Sequence, residues 1–210
     1  MLQQRGIFRG RTEVRYSYSR YGMTRNNGKT MHKGIDVVGI DDPTVLMPRG
    51  PGNQILTGTV TRARCVTDKR NKTWEWGNYV CVYLDHPLYL NGKAVRFLYF
   101  CHLKMYTVYV GQKVKSGSPL GIMGNTGNAV GGYAHVHLEC RPQATGAAVD
   151  PTHLAGCESK TGIYGNGPVG DESLLQVVHI GPLSKGDVAA VKQFCLERGY
   201  TAQGLIKVGD

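Results

Sequence analysis

Two histidines stand two residues apart in the segment Ala134-His135-Val136-His137-Leu138-Glu139. Val136 and Leu138 suit a short strand, whose period of two would point both imidazoles to one face, about 6.6 Å apart. Two converging imidazoles can hold a metal ion or move a proton. The alternative for an isolated His-x-His is an ordinary polar face of a strand, because short motifs often match by accident.

A second cluster of the same chemistry lies upstream, at His32 and Asp36. A fully extended segment would separate these residues by about 13 Å, too far for both side chains to reach one metal ion. A helix is disfavoured by Gly34 and the β-branched residues around it. We therefore expect a bend at Gly34, with His32 on a loop, Asp36 entering a strand and both side chains facing inward.

A third candidate is His102, at the end of the apolar run of residues 97–103. Cys101 and Cys140 are close in sequence to the candidate histidines, but strand alternation predicts that both thiols face away from the metal. No Cys-x-x-Cys spacing occurs, so we expect mostly reduced thiols. The six cysteines are Cys65, Cys81, Cys101, Cys140, Cys157 and Cys195.

Taken together and in this order, the motifs resemble those of the lysostaphin/LytM-type zinc endopeptidases, peptidoglycan hydrolases of the duplicated hybrid motif family. The resemblance rests on His32-x-x-x-Asp36, on Cys101-His102-Leu103, and on the stretch from Gly124 to His135-Val136-His137, and it spans about residues 15–155. It implies a mainly β catalytic domain with antiparallel sheets and a groove-shaped active site. It also implies a Zn²⁺ cofactor held by His32, Asp36 and His137.

By the same resemblance His102 and His135 are the catalytic residues that do not bind the metal. They would take a proton from water and stabilise the oxyanion of the tetrahedral intermediate, with their individual roles left open. The expected function is hydrolysis of peptide bonds in the peptidoglycan cross-bridges of the bacterial cell wall, as an endolysin or other bacteriophage-type lysin would perform it. The alternative is a structural or wall-binding phage tail component that retains the peptidase fold.

Several elements must position these residues. Strands are predicted at 54–65, 74–84 and 93–102, and the polar residues 1–14 are expected to wrap the surface. The glycine-rich loop 125–132 is implied by the resemblance to be one wall of the substrate groove, where bare backbone can approach a peptide.

The charge of the chain favours an anionic partner. Its 210 residues carry a formal net charge of +10. Charge alone would allow nucleic acid, but the motifs favour anionic wall polymers, so no nucleic-acid partner is expected. The N-terminus lacks the apolar region of a secretory signal peptide, and no run of about 18 apolar residues predicts a membrane span. We therefore expect the protein to reach the wall by lysis, on a phage particle or by another route.

The chain divides into three segments. The resemblance implies a peptidase domain over 1–158, and composition predicts a glycine-rich linker over 159–170 followed by a small C-terminal unit over 171–210. The last reads as strand, helix and strand, with Val188, Val191 and Phe194 on one apolar helix face. This β-α-β unit is too small to cover that face alone. We therefore expect it to dock on the peptidase domain or to form a homodimer with a second copy. It also resembles half of a sporulation-related-repeat peptidoglycan-binding domain, and this resemblance implies binding to the wall.

Overall fold

A computed structural model of the protein describes residues 3–71 and 73–166. These residues form antiparallel sheets with a single short α-helix, which confirms the mainly β prediction. The C-terminal β-α-β unit and its dimerisation lie outside the described residues. The strands are β1 (Gln4–Arg5), β2 (Phe8–Arg9), β3 (Thr12–Val14), β4 (Gly22–Arg25), β5 (Thr30–His32), β6 (Ile35–Gly39), β7 (Thr44–Leu46), β8 (Thr57–Cys65), β9 (Asn78–Leu90), β10 (Lys93–Leu103), β11 (Met105–Tyr106), β12 (Lys113–Lys115), β13 (Pro119–Ile122), β14 (Val136–Arg141) and β15 (Gly162–Tyr164).

One sheet of eight strands carries the architecture, in the order β12-β8-β9-β10-β14-β6-β3-β15. A three-stranded sheet β11-β13-β7 and the hairpins β4-β5 and β1-β2 complete the strands. The helix α1 is Thr152–Ala155, and 3₁₀ turns occupy Ser17–Ser19, Pro51–Asn53, Trp74–Trp76 and Gly127–Ala129. The centre of the large sheet is built from the long hairpin of β9 and β10, whose turn uses Asn91 and Gly92 at positive φ.

The two faces of the large sheet have different chemistry. One face buries the main apolar core, which includes Val60, Val82, Leu98, Phe100 and Leu138. The opposite face is aromatic and polar and carries Tyr79, Cys81, Tyr99 and Cys101 in a second cluster, with Trp74, Trp76 and Phe97 packed against it. Period-2 alternation along the strands separates the two sets.

Alternation is interrupted at several register shifts, and two of them lie beside the groove. In β8 the register shifts between Val60 and Arg62, so Thr61 is an extra residue opposite β9. In β10 the register shifts between Phe100 and Leu103, and His102 there has a positive φ of 64°. Each bulge resets which face the following side chains occupy.

Three expectations are corrected by the fold. The N-terminal residues do not merely wrap the surface, because Ile7, Phe8 and Val14 are fully buried in the main core. The strand expected over 74–84 begins only at Asn78, since Trp74–Trp76 forms a 3₁₀ turn. The predicted linker contains β15, which pairs with β3 at the edge of the large sheet.

No helix in residues 3–71 and 73–166 is long and apolar enough to cross a membrane. All five cysteines in the same part of the chain are free thiols, in agreement with the sequence.

Candidate zinc-binding and catalytic site

Three separate strands bring His32, Asp36 and His137 together. His32 ends β5 and is on a strand, so the expected loop position is wrong, while Asp36 lies in β6 as expected. His137 lies in β14 directly opposite Asp36 in the antiparallel ladder. Residues paired in this way point to the same face of the sheet.

The donor atoms of these three residues are close enough to share one ion. Oδ1 of Asp36 lies 3.2 Å from Nε2 of His32 and 2.9 Å from Nδ1 of His137, and the two nitrogens are 3.0 Å apart. A tetrahedral zinc site with bonds of about 2.05 Å requires donor separations of about 3.3 Å. Two imidazole nitrogens and one carboxylate oxygen are also the donor types that catalytic zinc uses. The residues therefore fit the ion implied by the motifs.

The surroundings of the trio fix the orientation of each donor. Nδ1 of His32 donates a hydrogen bond to the Arg20 carbonyl at 2.8 Å, which leaves Nε2 with its lone pair toward the site. Arg25 contacts the second oxygen of Asp36, Oδ2, at 2.5 Å. Burial opposes ionisation of Asp36, but hydrogen bonds with His137 and His32 outweigh it and hold the pKa of Asp36 well below its usual range. The carboxylate is therefore charged and able to bind a cation.

Gly34 is needed between the two ligand-bearing strands for space. A Cβ at this position would lie 2.5 Å from Cε1 of His137 and 2.4 Å from the Leu138 carbonyl oxygen. The bend at residues 33 and 34 thus lets β6 pass directly against the His137 ring. The sequence analysis explained Gly34 by the bend that its flexible backbone permits. The contact distances instead explain it by close packing, because a larger residue would not fit.

His102 and His135 form a second pair beside the trio. Their ring centroids are 4.9 Å apart, and Nε2 of His135 lies 3.9 Å from Oδ1 of Asp36. Nδ1 of each ring donates to a backbone carbonyl: that of Thr126 for His102 and that of Tyr133 for His135. Both rings are thereby held as the tautomer whose Nε2 can accept a proton.

Burial keeps both of these rings neutral. Desolvation, with the neighbouring His137 and His135, lowers the pKa of His102 to about 3. Desolvation is also the main cause of the lowered pKa of His135. A neutral imidazole is the form that can act as a general base.

Cys101 lies on the face that the sequence analysis excluded. It pairs with His137 across the ladder and packs with Tyr79, Cys81 and Tyr99, so it is beneath the site and not behind the sheet. The left-handed backbone of the next residue, His102, then returns the imidazole to the same side. Burial raises the pKa of the Cys101 thiol well above its usual value, so this cysteine acts as a small apolar floor residue. Cys140 is in the main core, facing away as expected.

All five candidate side chains line one groove of about 760 Å³. Asn128 and Ala129, from the loop expected to form a wall, do line it. Sequence reasoning assigned no site role to Arg25, Tyr133 or the face of β8, although all of them line the groove. The further lining residues are Tyr18, Met31, Lys33, Arg62, Arg64, Thr73, Glu75, Trp76, Tyr79, Tyr99, Glu139, Arg141, Ala144 and Thr145.

Comparison with known proteins gives a family match over the same region. A family model described as Peptidase family M23 matches residues 30–151, which include all five candidate side chains. No curated protein matches the sequence.

Several solved structures are similar to this chain. The catalytic domain of the antimicrobial peptidase lysostaphin from Staphylococcus simulans is 25% identical over 65% of this chain and 86% of its own, with a TM-score of 0.44. A mutant catalytic domain of the prophage-encoded M23 protein EnpA from Enterococcus faecalis is 22% identical over 66% of this chain and 88% of its own, with a TM-score of 0.47. LytU is 22% identical over 72% of this chain and 85% of its own, with a TM-score of 0.43.

Proposed function

The chain belongs to peptidase family M23, and from that membership we propose that it is a zinc-dependent endopeptidase that hydrolyses peptide bonds of bacterial peptidoglycan. One observation carries the proposal. Three donors suited to zinc and two neutral histidines with free Nε2 atoms converge in one groove. That combination is what metal-assisted hydrolysis of a peptide bond requires.

His32, Asp36 and His137 would hold the ion. Three protein donors leave the fourth tetrahedral position open, as in catalytic and not structural zinc sites. The ion supplies Lewis-acid chemistry, lowering the pKa of a water and polarising the scissile carbonyl. A single carboxylate among the donors leaves the site with a net positive charge of about one, so that this chemistry operates near neutral pH.

His102 and His135 would carry the proton transfers. The Nε2 atom of one ring accepts the proton of the attacking water and later returns it to the leaving amine. The other ring stabilises the negative oxygen that develops on the carbonyl. Their backbone acceptors hold both rings in place before substrate arrives, so little reorganisation is needed during the reaction.

A purely structural or wall-binding tail component would require none of these five side chains, and we therefore favour the enzyme. The basic surface supports a proposed affinity for anionic wall polymers. Delivery to the wall by lysis or on a phage particle, as for an endolysin, is likewise a proposal. So is a homodimer through residues 171–210.

Digestion of purified cell walls with different cross-bridges tests the function. We expect soluble peptides whose new termini, read by mass spectrometry, identify one kind of cleaved bond. A matched digestion with the His135→Ala variant should release about a hundredfold less product. Intact walls of every cross-bridge type after incubation with zinc-loaded wild-type protein would refute the proposal.

A further inference from the structure

The groove extends well beyond the zinc site, across three neighbouring strands. From Glu139 in β14 the ladder runs to Tyr99 in β10, Cys81 in β9 and Arg62 in β8. With strands about 4.8 Å apart, Arg62 lies about 14 Å from the metal-bearing strand. Arg64, two residues further along β8, is paired with Tyr79 in β9. Both arginines line the same groove as the five candidate side chains.

The bulge in β8 is what turns the two arginines toward the groove. Val60 faces the main core, and strict alternation from it would place Arg62 and Arg64 on the core side as well. Because Thr61 is inserted, Arg62 instead pairs with Cys81 and Arg64 with Tyr79, both on the groove face. Bulges commonly re-aim side chains next to functional sites.

Neither guanidinium is neutralised by a carboxylate among the described residues. The partners of Arg64 are the hydroxyl and ring of Tyr79: its Nε donates to the hydroxyl at 2.8 Å, and its Cζ lies 5.6 Å from the ring centroid. The hydrogen-bond partner of Arg62 is the Cys81 sulfur at 3.9 Å. The hydrogen bond through Nε fixes the plane of the Arg64 guanidinium and leaves its two terminal nitrogens free. A guanidinium can bind a carboxylate through two parallel hydrogen bonds.

Basic residues outnumber acidic residues in the groove lining, five to three. Asp36 and Glu139 are already paired with Arg25 and Arg141. Glu75 is exposed and is the remaining acidic residue of the lining. The cations of the lining without an acidic partner in the described part of the chain are Lys33, Arg62 and Arg64.

The floor between the candidate zinc site and the arginines contains a buried ion pair. Glu139 and Arg141 are both nearly buried and joined at 2.8 Å, yet Oε1 of Glu139 and Nε of Arg141 have no hydrogen-bond partner among the described residues. Both atoms are inaccessible to solvent, so they belong to the floor beneath the groove and are not contacts for a peptide. The groove therefore has a floor with a neutralised ion pair and an end with cationic side chains.

We propose that Arg62 and Arg64 form a subsite for an anionic oxygen group of the substrate, and that the substrate is a peptide carrying a free carboxylate about four residues from the bond that is cut. A neutral cross-bridge such as a run of glycines would leave this subsite without a partner. The proposal rests on the proposed function and names the class of peptide that the same groove accepts.

Two peptidoglycan peptides that differ in a single group test the subsite. One has a free carboxylate at the position expected to reach the arginines, and the other has the corresponding primary amide. The zinc-loaded full chain is titrated with each, and mass spectrometry records whether the peptide stays intact. The preference for the acid over the amide peptide is the ratio of their Kd values if the peptides stay intact, and the ratio of their kcat/KM values if they are cleaved.

We expect the wild type to favour the acid by about tenfold or more, the range of charge-assisted hydrogen bonds. The double variant R62Q/R64Q should lose that preference. Arg96→Gln is the matched control, because Arg96 also contacts a tyrosine, Tyr83, through its hydroxyl and ring but does not line the groove. This variant should keep the preference.

Equal affinity of the wild type for acid and amide overturns the proposal, as does a preference that survives in R62Q/R64Q. If the double variant does not fold, the wild type alone decides, because a carboxylate preference must shrink at high salt. A titration with poly(glycerol phosphate) distinguishes a peptide carboxylate from the phosphate of a wall polymer. If the polymer binds only when both arginines are present, and the acid and amide peptides bind with equal affinity, the subsite belongs to a wall polymer and the peptide assignment is overturned. Failure of the proposed function would appear separately, as intact walls together with an unchanged binding preference.

Discussion

At the scale of single residues, four of the five candidate side chains have one nitrogen or oxygen facing the site and the other fixed by a neighbour. His32 is held by the Arg20 carbonyl, Asp36 by Arg25, and His102 and His135 by the carbonyls of Thr126 and Tyr133. The sequence predicted which residue types converge, because His-x-His and His-x-x-x-Asp are local patterns. It could not predict these partners, because backbone carbonyls carry no sequence signal.

The two histidines of the His-x-His segment should respond differently to the same substitution. His137→Ala removes one of three donors, so we expect the purified protein to lose zinc while keeping most of its fold. His135→Ala should retain about one zinc per chain and lose turnover by about a hundredfold, since it removes a proton-transfer group and no ligand. Elemental analysis and peptide hydrolysis are measured on both variants.

The reverse pattern, with zinc lost in His135→Ala and kept in His137→Ala, would contradict the ligand assignment. Wild-type protein purified in parallel sets the zinc content for comparison.

At the scale of elements, the site depends on where strands depart from regularity. Alternation correctly placed His135 and His137 on one face, because the extended backbone continues from the bridge at His135 into β14. The same rule placed Cys101 on the wrong face, because a bulge and a left-handed residue at His102 interrupt β10. Nothing in Cys101-His102-Leu103 indicates a positive φ, so this part of the site was beyond sequence reasoning.

The left-handed backbone at His102 predicts that glycine is more stabilising than alanine at this position, the reverse of the usual order. Residues other than glycine pay about 1 kcal/mol or more for this conformation. His102→Gly should therefore be more stable than His102→Ala by about 1 kcal/mol, although both are inactive. Chemical denaturation of the two variants measures the difference. At His135, whose φ is not positive, the order should be the ordinary one, with alanine more stable than glycine. The same order at both positions would mean that the conformation at His102 is not strained.

The close packing at Gly34 predicts that a larger residue there would weaken both the stability of the fold and the binding of zinc. Gly34→Ala places a Cβ against the His137 ring and the Leu138 carbonyl, so we expect a loss of about 1 to 3 kcal/mol in the free energy of unfolding and weaker zinc retention. Thermal unfolding and zinc content after dialysis measure the two effects. Gly132→Ala is the control, because its nearest neighbour is the Ala129 carbonyl oxygen at 3.2 Å. An unaltered zinc content in Gly34→Ala would show that β6 can move without displacing His137.

At the scale of the whole molecule, the peptidase domain reaches further than composition suggested. Glycines after Lys160 predicted a linker, yet β15 pairs with β3, which pairs in turn with β6, the strand of the candidate ligand Asp36. Three-residue edge strands are too short to show periodicity, so a sequence cannot distinguish them from a linker. The boundary predicted at residue 158 therefore falls before the last strand of the sheet.

A version of the protein ending at residue 158 should accordingly be less stable than one ending at residue 166. Loss of β15 exposes the edge of β3 and removes its ladder hydrogen bonds, which we expect to lower the free energy of unfolding by about 1 to 3 kcal/mol. Denaturation in urea compares the two versions. Equal midpoints would mean that β15 contributes nothing to the domain. Light scattering of the full chain against the version ending at residue 166 tests the proposed dimer.

The bulge at Thr61 also bears on how this protein can change length during evolution. A strand that gains or loses one residue normally turns every later side chain to the opposite face. In β8, loss of Thr61 would leave Val60 opposite Val82 and Arg62 opposite Cys81, as they are now. Loss of Ala63, by contrast, would turn Arg64 toward the core. A single-codon deletion at position 61 is thus nearly silent for the charge of the groove, whereas the same event two codons later removes one of its two cations.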